Sequence, residues 1–86
     1  MSKFARTRAA LKVYDQEKPI IEALFAKADT PALLTLALAA NATSVAKVRA
    51  AFIEDTHEIN TPDRAGRIHP DDPWFRHLME KDECAP

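Results

Sequence analysis

The sequence predicts an all-α fold: a small bundle of four to five short helices, with a long irregular segment before the last helix, in a single helical domain over residues 1–86. Three observations predict it. Apolar side chains recur at helical spacing in successive segments from Phe4 to Phe52 and again after Pro73. Glycine occurs once, at Gly66, which leaves little of the turn chemistry that hairpins of strands require. Residues Pro31 to Ala40 read Pro-Ala-Leu-Leu-Thr-Leu-Ala-Leu-Ala-Ala, with Thr35 as the only hydrogen-bonding side chain. The alternation Leu34-Leu36-Leu38 suits a buried strand, but the alanine content and the single β-branched residue favour helix.

Taken in order, Ser2 is placed to cap a first helix running to about Asp15, with Phe4, Leu11 and Tyr14 on one face and Lys3, Arg6, Arg8 and Lys12 over the remainder. Pro19 then interrupts the pattern, because proline removes a helical N–H and disfavours helical geometry in the residue before it. Either the first helix ends near Asp15 and a second starts around Lys18-Pro19, or one long helix kinks there, and two segments are expected in either case. Beyond it, Ile20, Ile21, Leu24, Phe25 and Ala28 form a stripe. Asp29 or Thr30 can cap the next helix, Pro31 suits its first position, and Asn41 can take the left-handed stop position.

A helix over Pro31–Ala40 is apolar on every side and so is expected to be buried at the centre of the bundle. At about ten residues it is too short to span a bilayer. The stripe Ile20–Phe25 is its natural cover, and Leu36→Asp or Leu38→Asp is expected to abolish folding.

Asn41-Ala42-Thr43-Ser44 reads as a turn, with Thr43 or Ser44 capping a helix that reaches about Thr56. In that helix Val45, Val48, Ala51 and Phe52 face the core, and Lys47, Arg49, Glu54 and Asp55 are polar. From His57 to Asp72 turn signals succeed one another, with Ile59 and Ile68 as anchors to the core. Asp72 then caps a final helix from Pro73 to about Glu83.

Composition bounds the function. The net charge is −1, yet residues 1–53 carry eight Lys/Arg against four Asp/Glu, and residues 54–86 carry four against nine. The halves either form two electrostatic poles or neutralise each other on folding. One glycine excludes a phosphate-cradling loop or a dinucleotide fingerprint. The single cysteine, Cys84, excludes an intrachain disulfide and fits a reducing compartment. Arg6, Arg8 and Lys12 break the first apolar run, so no signal peptide is read, and the expected location is cytoplasmic.

His57, His69 and His77 lie among carboxylates, but no pair has structural-finger spacing and no His-Glu-x-x-His occurs, so no metal site and no cofactor are assigned. Asp71-Asp72 reads as a turn and cap, and Cys84 lacks an oriented base. No catalytic residue is assigned, and the chain is expected not to be an enzyme.

What remains is a small protein-interaction module, an accessory or regulatory subunit that docks on another protein through apolar helical surface. Trp74, Phe75, Leu78 and Met79 lie on one side of the last helix and either form a partner-binding ridge, since tryptophan and methionine are frequent anchors at interfaces, or close the bundle as core. An over-apolar central helix also predicts a homodimer near 19 kDa, twice the 9.6 kDa chain. The alternative is a helix-turn-helix-like DNA-binding regulator built from residues 31–55 and the basic first helix, with Lys3, Arg6, Arg8, Lys12, Lys47 and Arg49 as phosphate or base contacts. No membrane association is expected.

Overall fold

A computed structural model describes residues 3–58 and 68–84, and for residues 83 and 84 the backbone alone. Among the described residues the chain is all-helical and has three helices: α1 (Ala5–Lys27), α2 (Pro31–Glu58) and α3 (Pro73–Cys84). The α1 and α2 helices form a long antiparallel hairpin, and the molecule extends 47 × 22 × 18 Å. The expected four to five helices become three because two expected breaks do not form.

Pro19 lies inside α1 without ending it. Its ring is exposed, so the carbonyl that loses a partner lies at the solvated side, and Tyr14 and Ile21 are buried on either side of it. Packing of the same helix before and after the proline outweighs a local cost of about 3 kcal/mol. The Asn41–Ser44 turn is likewise continuous helix, so α2 runs 28 residues without interruption. Its hydroxyls are satisfied within the helix or across the hairpin. Thr35 Oγ1 donates to the Pro31 carbonyl, Thr43 Oγ1 donates to the Ala39 carbonyl, and Ser44 Oγ donates to Glu17 Oε1 at 3.2 Å. With neither glycine nor proline between Ala32 and Glu58, nothing local forces a stop.

Two of the expected caps form. Thr30 Oγ1 accepts from the Leu33 N–H, with Pro31 at the first helical position, and Asp72 Oδ1 accepts from the Trp74 N–H at 2.8 Å, ahead of α3. Ser2, the expected cap of the first helix, lies outside the described residues. The start of α1 has no cap of its own, since the flanking residue is Phe4. Carboxylates from the other two helices serve instead. Asp82 of α3 accepts from the Lys3 and Phe4 N–H groups at 2.9 and 3.3 Å, and Asp55 of α2 accepts from both the N–H and the hydroxyl of Thr7 at 2.8 and 2.7 Å. Both also place negative charge at the positive end of the α1 dipole.

The core sits at this end. Phe4 stacks on Phe52 with ring centres 5.5 Å apart, and Phe52 meets Phe75 edge-on at the same distance. Leu11, Tyr14, Val48, Ile68 and Met79 complete the buried cluster. Ile68 is thus pinned to the core as the sequence suggests, whereas Ile59 lies outside the described residues. The α3 helix covers only this end of the hairpin.

Candidate functional site

Most of the expected partner-binding ridge is core. Phe75 is fully buried and Met79 nearly so, because these two positions, one turn apart on α3, are what the Phe4–Phe52 stack packs against. Leu78 is half-buried against the same cluster, and Trp74 alone of the four is exposed.

The expected central helix presents the opposite correction. Within Pro31–Ala40 only Ala37 is buried, while Leu33, Leu34, Leu36 and Leu38 are 42–56% exposed. The covering stripe supplies only Ile21 to the interior; Ile20 is 64% exposed and Phe25 37%. A single neighbouring helix can cover only one side of an all-round apolar helix, and α3 stops short of this half of the hairpin. An apolar pattern states that a surface has to be covered, not that this chain covers it.

The open half has two faces. On the side away from Leu34 and Leu38, α1 and α2 leave a groove of about 340 Å³. Ile20, Leu24 and Leu36 line it together with the smaller Ala39, Ala40 and Thr43. Glu17 and Ser44 close one end through their hydrogen bond, with Lys47 Nζ 4.0 Å from Glu17. Helical spacing extends the same face with Val13, 44% exposed, on α1 and Leu33 on α2.

The ion pairs that join the two halves of the sequence gather toward the closed end. Arg6 forms a two-pronged pair with Glu58 at 2.7 Å and also reaches Asp55 at 3.2 Å and Glu54 at 3.6 Å. Hydrogen bonding from Arg6 holds the Glu58 carboxyl below its ordinary range, and the same carboxylates raise the Arg6 guanidinium above its own.

At the other margin Asp71 accepts from Lys18 at 3.0 Å and from the Tyr14 hydroxyl at 3.1 Å. Partial burial works to raise the Asp71 pKa, and these bonds together with the nearby Arg76 outweigh it, for a net lowering. Burial, then the bond to Asp71, pushes the Tyr14 hydroxyl up to about 12. Arg76 is raised, first by its paired bonds to Asp15 at 2.8 and 3.0 Å.

This arrangement leaves little of the DNA-binding alternative. The turn between its two helices is absent, and residues 31–55 lie in one continuous helix. Arg6 is occupied by three carboxylates of α2, and Lys47 lies beside Glu17. Arg49 is half-buried, while Lys3, Arg8 and Lys12 lie at or near the start of α1, with Asp15 and Glu80 around the same depression as Arg8 and Lys12. Among the described residues no three His, Cys, Asp or Glu side chains gather at metal-binding distance.

The length of α2 also removes the argument that the apolar stretch is too short for a bilayer. By length and composition α2 is the one described helix that could cross a membrane, and only 17% of its most apolar window is buried. Against a crossing, α2 is paired along α1 and carries Lys47, Arg49, Glu54 and Asp55 in its second half. No family model, no curated protein and no solved structure matches this chain.

Sequence reasoning missed the groove face because it assigned Ile20, Leu24 and Leu36 to the interior. A signal was present in the spacing. Phe4, Thr7, Leu11, Tyr14, Lys18, Ile21 and Phe25 form an uninterrupted heptad seam, so Ile20 and Leu24 fall outside it.

Proposed function

We propose that this chain is a small cytoplasmic protein-interaction module, a non-enzymatic accessory or regulatory subunit, whose docking surface is the open half of the α1–α2 hairpin. The observation that carries this reading is the exposure of Leu33, Leu34, Leu36 and Leu38 in a fold that fully buries Phe75 and Val48. Scattered apolar residues on a surface need no explanation, but the face shared by Val13, Ile20, Leu33 and Leu36 offers on the order of 500 Å², and an apolar patch of that size marks a contact site. The docking surface therefore moves from the Trp74–Met79 ridge to the hairpin, with Trp74 left as an exposed aromatic on α3.

The test is the variant carrying both Leu36→Asp and Leu38→Asp. If these side chains dock on a partner, the variant keeps its helical circular dichroism and a cooperative melt while losing association and the binding of an apolar dye. If it is unfolded, the leucines belong to a core and the reading fails.

A further inference from the structure

The geometry points to a second copy of this chain as the occupant of the groove face, laid antiparallel about a twofold axis level with Ala39 and Ala40. This inference rests on the reading of the open hairpin as a docking surface and names its partner.

Three features of the face fit a copy of itself. The first is area. Val13, Ile20, Leu33 and Leu36 are each 42–64% exposed, and with the groove floor they offer on the order of 500 Å². Two such faces together bury about 1,000 Å², the threshold for a specific interface, so the patch suffices only if the partner's contribution is equally apolar. A copy guarantees that.

The second is relief. The small residues Ala39, Ala40 and Thr43 line the same groove as the bulkier Ile20 and Leu36. An antiparallel twofold sets Ala40 near its own counterpart, which lets the two α2 helices approach closely. It seats each Leu36 against the small residues of the other copy, in the manner of an antiparallel four-helix bundle.

The third is charge. Glu17, Ile20, Leu24 and Lys27 follow one another along a single α1 stripe. Glu17 is level with Ser44, which it contacts, so Lys27, ten residues further up the antiparallel hairpin, is level with residue 34. Midway between these levels lies Ala39. An antiparallel twofold there sets Glu17 of each copy opposite Lys27 of the other, giving two symmetric ion pairs at the ends of an apolar seam. Within one chain the two side chains are about 15 Å apart along the helix and cannot meet. A lipid surface has no use for an acidic residue on this stripe.

The test is sedimentation of the full chain at tens of micromolar, with variants in a Cys84→Ser background. The expected wild-type species is a dimer of twice 9.6 kDa, insensitive to reductant. Leu36→Asp is expected to give a helical 9.6 kDa monomer, whereas Leu38→Asp, 200° around α2 from Leu36, stays dimeric. Ala40→Cys is expected to cross-link to itself with a short bis-maleimide. Glu17→Lys is expected to weaken association about tenfold, and adding Lys27→Glu to restore it.

A helical wild-type monomer overturns the second copy and leaves the docking reading standing for a different partner. A monomer that floats with phosphatidylcholine vesicles overturns both in favour of a lipid surface. A dimer broken by Leu38→Asp and not by Leu36→Asp, or one in which Ala40→Cys fails to cross-link, overturns the face and axis proposed here.

Discussion

The two ends of the α1–α2 hairpin are built from the same two helices and differ in what lies against them. At the closed end Phe52 touches Phe4 and Phe75, α3 lies across the seam, and Asp55 and Asp82 satisfy the start of α1. At the open end leucines of at least equal apolarity face outward, and among the described residues the only tertiary cover is α1. Burial is therefore a property of the neighbour and not of the helix that needs covering. Core-like composition in a 28-residue helix produced a core over one half of its length and a surface over the other.

That contrast can be broken or sharpened by substitution. The largest effect is expected from Phe75→Ala at the closed end, which empties a fully buried aromatic site and costs about 3–5 kcal/mol. Chemical denaturation should show little or no stable folded state. Next is Asp55→Ala. It strips the acceptor from a buried N–H and a buried hydroxyl, for about 2–3 kcal/mol, and lowers the denaturation midpoint with helicity otherwise retained.

Smaller effects follow from pH. Glu58 and Asp71 titrate below their ordinary values in the folded chain, so their contribution is present above the unfolded carboxylate pKa of about 4 and is lost as pH falls through the folded values. Both groups are solvent-exposed in large part, and the acid-side loss is correspondingly modest. Tyr14 acts with the opposite sign. Its folded pKa of about 12 lies above the unfolded value near 10, so stability is expected to fall between these pH values as the unfolded chain ionises first. Tyr14 is the only tyrosine, and its ultraviolet titration reads this directly.

The smallest effect is expected from Leu38→Ala at the open end. In dilute solution, where chains are separate, it should shift stability by no more than about 0.5 kcal/mol. A loss comparable to that of Phe75→Ala would erase the distinction between the two ends.

Local chemistry was legible in the sequence where it was sufficient. Thr30 with Pro31 and Asp72 with Pro73 start α2 and α3 as their residue types dictate, and Ile68 anchors the segment before α3. Local chemistry misled at Pro19 and at Asn41–Ser44, where the hairpin partner holds the helix through a residue pattern that would otherwise break it. Asp55 is polar by residue type, but its spacing of three from Phe52 places it on the core face, where it is buried. Its role beside Thr7, 48 positions away, is a tertiary fact that no local pattern carries. Likewise the exposure of Leu36 depends on where α3 lies, and the sequence of α2 contains nothing about that.

The capping of α1 by Asp82 also bears on how the chain reaches its fold. The hydrogen bonds from Lys3 and Phe4 to Asp82 join residues 79 and 78 positions apart. During synthesis α1 and α2 can pair as soon as residue 58 has emerged, but the beginning of α1 must wait for residue 82. Closing a loop of that size precedes any gain from the contact it makes, so the locking of the closed end is a late event and slow for a helical protein. Until then the nascent hairpin exposes Phe4 and Phe52 at one end as well as its leucines at the other. The interval between the two events is when this chain depends most on being kept from its neighbours.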